Sequence, residues 1–305
     1  MVYCTASLIA GASLLLFAAP PVSAEEGDAP HTLRLLTFNV LVNWENKEGV
    51  PPWKDRRALC LAVTQEADAD LIGFQETAPK QADFFRDNLP GYGVVGEIAL
   101  SEEQVAAFSE ILPIVRAMNI TRYTDALLFY REALFDKLDE GHWWLSSTPE
   151  KLSADFGNEM PRIMVWAKLR HKPSGRLVVV AVTHFDNTLP SQVHMARLAH
   201  EKLQPFIDAG LPVIFMGDFN TSHERGDYGK LTEGAWTDSY LVSPEASDTG
   251  VDSNVSTRFG GQVRIDHIFY HGAGFDALAW KRIESPDPDR VLSDHFPVFA
   301  EIAWK

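Results

Sequence analysis

From Leu33 onward the chain alternates two hydrophobic periods. "LRLLTFNVLV" (33–42) and "DLIGFQE" (70–76) are short apolar runs of strand length, whereas "WKDRRALCLAVTQEA" (53–67) and "PKQADFFRDNL" (79–89) space their apolar residues three and four apart, as amphipathic helices do. This is an α/β opening. The next four runs, "DALLFYR" (125–131), "KLDEGHWWL" (137–145), "RIMVWAKLR" (162–170) and "LVVVAVTHF" (177–185), are strand-like with little helix between them. Such spacing predicts antiparallel neighbours and therefore a mixed sheet. A helix over "SQVHMARLAHEKLQPFIDAG" (191–210), closed by Gly210, leads into the strand "PVIFMGDFNTS" (212–222), and "AWTDSYL", "RIDHIFYH", "LAWKRI" and "HFPVFAEIAW" supply the remaining strands. "SEEQVAAFSEILPIVRAMN" (101–119) stands apart from this alternation. A serine N-cap, acids in the first turn and apolar Val105, Phe108, Leu112 and Val115 predict one inserted amphipathic helix, packed on the flank of the domain or lying beside the site as a lid.

No repeat, low-complexity tract or linker divides residues 32–305, so one domain is expected there. Residues 1–24 contain no Lys, Arg, Asp or Glu, and their apolar run ends in "VSA" at Ala24. That pattern predicts a secretory signal peptide followed by a short polar tail over 25–31, hence a secreted or periplasmic protein, with a retained N-terminal membrane anchor as the alternative. No other segment could span a membrane. Cys60, alone once Cys4 has left with the signal, sits at helical spacing as a small core residue. The net charge of -15 disfavours a broad nucleic-acid-binding face, because a polyanion is repelled unless cations or a local basic patch compensate. Arg162, Arg258 and Arg264 could contribute to such a patch. Trp143, Trp144, Trp166 and Trp280 read as core or sheet-face aromatics, and His194 and His200 as surface residues of the long helix.

The chemistry collects at strand ends. Asp218 and Asn220 close an apolar strand at the point where, in an α/β sheet, ligands meet the protein. The pattern recurs at Asn39, Glu76, His184 with Asp186, Asp266, and Asp294 with His295. These segments offer carboxylates, amides and imidazoles and no thiolate, a donor set suited to a hard cation such as Mg2+ or Mn2+. No P-loop, dinucleotide glycine fingerprint or serine elbow is present.

The ordered set "TFNV", "FQET", "THFDN", "GDFNTS", "RIDHIF" and "SDHFP", spread over Leu33 to Trp304, resembles the endonuclease/exonuclease/phosphatase superfamily, with "WWLSSTPEK" and "MPRIMVWAKL" matching its secreted bacterial members. The resemblance implies a four-layer α/β sandwich, two packed mixed sheets with helices outside. It implies Glu76 as principal metal ligand with Asn39 and Asp294 nearby, and Asp218 as the residue that orients or deprotonates the attacking water. Asn220, His184 and His295 would hold phosphoryl oxygens, Asp266 would fix and charge His295, and Arg162 would add a phosphate contact. The family shows a second histidine where Asn187 stands, so Asp186 is expected to buttress the His184 loop. Relatives also place a carboxylate where Thr124 stands. Strand alternation would put Asp125 on the opposite face, which leaves its relation to His184 open.

These residues together predict a divalent-metal-dependent phosphoester hydrolase, monomeric, acting on a small or lipid phosphodiester. The rivals are a secreted nuclease and, from another class, a non-catalytic binding protein of the same fold.

Overall fold

Among the described residues, fifteen strands and seven helices carry the pattern. The computed structural model describes residues 31–44, 47–158, 160–223, 228–246, 264–287 and 289–305; the expected signal and nearly all of the tail lie outside them, as does Arg258. In chain order the strands are β1 (Thr32–Asn39), β2 (Leu71–Gln75), β3 (Tyr92–Val95), β4 (Ile98–Ala99), β5 (Arg122–Tyr123), β6 (Ala126–Arg131), β7 (Phe135–Trp144), β8 (Ile163–His171), β9 (Leu177–His184), β10 (Val213–Asp218), β11 (Trp236–Asp238), β12 (Glu245–Ala246), β13 (Asp266–His271), β14 (Phe275–Arg282) and β15 (Val298–Trp304). One sheet runs β12-β14-β15-β1-β2-β6-β3 and the other β11-β13-β10-β9-β8-β7, with β4 and β5 paired separately. Both large sheets are mixed: β1–β2 and β9–β10 are parallel, while β1–β15, β8–β9 and β10–β13 are antiparallel.

Helices α1 (Trp53–Ala67) and α2 (Pro79–Asn88) cover the outer face of the first sheet, where Leu59 and Phe85 join Leu36 and Phe74. Helix α5 comes later, after α3 (Glu102–Ile111) and α4 (Ile114–Ala117); it spans Leu189–Asp208 and covers the second sheet, seating Met195 and Leu203 on Ala181 and Phe215. Between the sheets lies the largest apolar layer, including Leu35, Val180, Val182, Ile214, Met216 and Ile268. This is the four-layer sandwich implied by the resemblance. Short α6 (Tyr228–Leu231) and α7 (Ser239–Val242) complete the described chain.

The period of two explains where the polar residues go. On β9, β10 and β13 the even-numbered side chains face the other sheet, so the apolar series Val180–Val182, Ile214–Met216 and Ile268–Tyr270 continue into His184, Asp218 and Asp266. Cross-strand register sets these three in one row, Asp218 opposite both His184 and Asp266. On β1 the odd-numbered series Leu33–Leu35 ends in the same way on Asn39. The inter-sheet layer thus opens at one end into a polar mouth. Gly217 permits the row to close up, because a Cβ there would lie 2.0 Å from the Thr183 carbonyl oxygen.

Three local expectations are corrected. The inserted segment is two helices, since α3 stops at Ile111 and Pro113, lacking an N–H, begins the separate turn α4. "AWTDSYL" is strand only to Asp238, whose carboxylate then caps α7 through Tyr240 N. His200 is half-buried and stacked on Trp236 at 5.1 Å, and burial pushes its imidazole down to about 4. Cys60 is buried as expected, with its thiol pushed up to about 11 by burial. Trp144, Trp166 and Trp280 are core aromatics.

Candidate active site

Asn39, at the end of β1, reaches across the mouth. Its Nδ2 donates to Glu76 Oε1 at 2.9 Å and to Asp218 Oδ2 at 3.0 Å, so one amide joins carboxylates from the two sheets. Its Oδ1 accepts from Leu41 N at 3.0 Å, which fixes the orientation of the amide and turns its oxygen away from the carboxylates. Glu76 follows β2 with φ 55°, a left-handed conformation that ends the strand alternation and swings the side chain into the mouth. Its backbone N–H donates to the Asp125 carbonyl, and its Oε2 accepts from Val42 N at 3.3 Å.

Two histidines flank Asp218. His295 Nδ1 donates to Asp266 Oδ2 at 2.8 Å, and its Nε2 lies 3.6 Å from Asp218 Oδ2. Burial alone would lower the His295 pKa, but the carboxylates of Asp266, Asp218 and Asp294 outweigh it and hold the imidazole well above its ordinary value. His184 Nδ1 donates to Asp125 Oδ1 at 3.1 Å, while its Nε2 stands 3.7 Å from Asp218 Oδ2 and 4.0 Å from Glu76 Oε1. Burial and the adjacent Arg162 guanidinium oppose the charged form of His184, and Asp125 and Asp218 prevail, so its pKa is raised. Asp125 therefore does pair with His184. Strand β6 begins only at Ala126, so alternation does not govern residue 125.

Arg162 is buried deeper than a surface phosphate contact would be. Its Nη1 lies 2.9 Å from His184 Nδ1 and 3.7 Å from Asp125 Oδ2, and its Nε lies 3.7 Å from Asp186 Oδ2. Asp186 itself accepts from Thr188 N at 2.9 Å and Thr188 Oγ1 at 2.7 Å, at the start of α5. Asn220 sits at φ 51°, a left-handed position that asparagine tolerates; its N–H closes a turn on Asp218 Oδ1, and its Nδ2 donates to the Phe185 carbonyl at 2.9 Å. Asn220 thereby ties the exit of β10 to that of β9. Asp294 is brought beside the mouth but turned to other partners, an ion pair with Lys47 and a hydrogen bond from Ser293 Oγ at 3.1 Å; against the effect of burial, the neighbouring His295 and then Lys47 and Ser293 hold its carboxyl below the usual range.

Two further contributors carry no motif by which sequence could have marked them. Lys47 comes from a polar loop with no motif. Arg56, within "KDRR", is buried and donates to the carbonyls of Pro51, Val40, Leu41 and Leu292, thereby pinning the backbone next to Asn39 and near Asp294. Arg264 is likewise buried, in an ion pair with Asp238 at 2.7 Å, and so offers nothing to a basic surface groove.

Among the described residues, Glu76, Asp218 and His295 each bring a potential ligand atom within 4.8 Å of the others. Every oxygen of Glu76 and Asp218 named above has one donor, which leaves a lone pair on each for a cation. Two close carboxylates facing a partly open mouth, with hard oxygen donors, fit Mg2+ or Mn2+. In this trio the carboxylates of Glu76 and Asp218 supply the hard oxygen donors, while His295 Nδ1 is engaged by Asp266.

Residues 36–295 match the Endonuclease/Exonuclease/phosphatase family. No protein of curated function matches the chain. Among solved structures, an endonuclease/exonuclease/phosphatase family protein from Bacteroides thetaiotaomicron is 24% identical with a TM-score of 0.73, covering 90% of this chain and 99% of that one. A mannosyl-6-phosphatase from the same organism is 26% identical with a TM-score of 0.73, covering 89% and 100%. The human Nocturnin catalytic domain with bound sulfate is 17% identical with a TM-score of 0.67, covering 90% and 95%.

Proposed function

The chain belongs to the endonuclease/exonuclease/phosphatase family, and we propose that within it the protein is a divalent-metal-dependent hydrolase of small phosphodiesters, working by direct attack of water. The observation that carries this reading is the joining of Glu76 and Asp218 by Asn39, with His295 alongside. Glu76 and Asp218 would hold the ion, which when bound neutralises negative charge on the phosphoryl oxygens.

The protein's own groups supply the rest. Asp218, buried and oriented by Asn39 and the Asn220 turn, is placed to orient water and take its proton. His295 and His184, each hydrogen-bonded to its own carboxylate, which favours its charged form, present two donors to the same point, where negative charge develops in the transition state. No covalent intermediate is required.

A small substrate is favoured over duplex DNA by charge. Arg162 is half-buried and Arg264 buried, both are paired with carboxylates, and the chain carries -15 overall, so the phosphate contacts that give DNA-binding proteins their affinity have little source in these arginines. The mannosyl-6-phosphatase relative adds a phosphorylated metabolite to the candidates. Export, read from residues 1–24, belongs to the same proposal, with an N-terminal anchor as its alternative. Among the described residues no helix is long and apolar enough to cross a membrane.

The test is a substrate panel of small diesters, monoesters and plasmid DNA with Mg2+, Mn2+ or Ca2+. Small diesters should be turned over fastest with little dependence on NaCl. Plasmid nicking that falls steeply between about 50 and 200 mM salt, with small diesters inert, would establish the nuclease instead.

A further inference from the structure

Beside the reacting cluster lies a second feature that the chemistry above does not use. A small cleft opens from Glu76 and Asp125 and runs beneath the inserted helices. Its walls come from four separate places: Val42 and Trp44 after β1, Phe108 and Leu112 at the end of α3, Ile120 after α4, and Met160 before β8. Its floor is rigid. Thr77 and Thr124 donate their hydroxyls to each other's carbonyls, and Glu76 N donates to Asp125 O. Both hydroxyl protons are thus already engaged; of the polar wall residues, Arg122 is paired with Asp83 and Glu97, and Tyr123 donates its hydroxyl to the Pro161 carbonyl.

The inserted segment makes this cleft. Ser101 caps α3 through Gln104 N, and Gln104 Oε1 accepts from Ser101 N, which holds the start of the helix while Phe108 packs on Tyr123 at 5.5 Å. Where Pro113 breaks the helix, Leu112 is left half-buried at the cleft wall. The segment therefore packs on the flank and contributes Phe108 and Leu112 to the cleft.

Resting on the phosphoesterase reading, we propose that this cleft is the specificity pocket for the organic group of the substrate, and that the group is compact and apolar, an aromatic ring or short alkyl chain. A phosphoryl group at Glu76 and Asp218 has this cleft directly alongside, since Glu76 belongs to both. Burying an apolar substituent there gains transfer free energy, whereas a polyhydroxylated sugar would surrender much of its hydration to a mostly apolar lining whose Arg122 is already paired with Asp83 and Glu97. The cleft is small, which suits one ring or a short alkyl chain and not the paired acyl chains of a phospholipid.

Non-hydrolysable phosphonates separate binding from leaving-group reactivity. Phenylphosphonate, methylphosphonate and a hexose 6-phosphonate would be titrated calorimetrically into the full chain with Mg2+, using wild type, Leu112→Trp and Met160→Trp, each checked by circular dichroism. In wild type, phenylphosphonate should bind about tenfold more tightly than methylphosphonate. Filling the cleft from either wall should bring that ratio close to one. Equal affinities for the phenyl and methyl compounds in wild type, or tightest binding of the hexose compound, would overturn the pocket while leaving the phosphoesterase reading intact. Binding of none of the three, together with no hydrolysis of any ester, would remove that reading and the pocket with it.

Discussion

Asn39 and Asp218 stand 179 positions apart in the chain and on different sheets, yet Asn39 Nδ2 donates to Asp218 Oδ2 at 3.0 Å. The same nitrogen holds Glu76, so the separation of the two carboxylates is set by one side chain. Asn39→Ala should therefore cost activity far more than stability. A fall in kcat/KM of about a hundredfold is expected, against a loss of ~1 kcal/mol of folding free energy. Steady-state kinetics and urea unfolding on the same preparation check the split.

Asp266 should set the alkaline limit of activity. A histidine whose pKa is raised by a carboxylate stays charged up to that raised value and loses its proton as pH climbs through it. Asp266→Asn removes the main source of the rise, so the alkaline limb of the kcat/KM profile should move to lower pH. An unmoved limb would show that His295 does not act as a cation in the reaction.

Arg56 should be a large contributor to stability despite its place in a basic run at a helix start. Its guanidinium donates to four backbone carbonyls in a buried setting, and Arg56→Ala strands those acceptors. The expected loss is ~2–4 kcal/mol, read as an earlier urea midpoint. Activity should fall as well, because Val40 and Leu41 follow Asn39 directly.

Acid should weaken the fold through His200. Its folded pKa, about 4, lies below the ordinary 6.5, so the unfolded chain binds the proton first as pH falls. Stability from this group is complete above about 6.5 and is lost progressively down to about 4, by up to ~3 kcal/mol. His200→Phe, which keeps a ring against Trp236, should flatten the dependence of Tm on pH across that window.

Much of this arrangement was legible in the sequence because it follows from a period of two. Apolar alternation on β9, β10 and β13 carries straight into His184, Asp218 and Asp266, and a strand end is visible in a sequence even when its partner strand is not. What escaped depends on where strands begin and on contacts between distant loops. Asp125 was left open by alternation because it precedes β6, and its pairing with His184 follows only once the sheets are stacked. Arg56 and Lys47 look like ordinary solvated bases, and nothing local tells that one is buried under Leu292 or that the other meets Asp294. The break at Pro113 was visible, but helical periodicity through Val115 masked it.

In the proposed reaction, Asp218 and a metal held beside it hydrolyse a phosphoester. The most direct test is the turnover of bis(4-nitrophenyl) phosphate by wild type and Asp218→Asn, each with Mg2+ and after EDTA. Turnover should appear only in wild type with Mg2+, the asparagine variant falling by about a hundredfold or more with its fold intact. Turnover that survives EDTA, or a variant that keeps more than about one tenth of wild-type activity, would contradict the account.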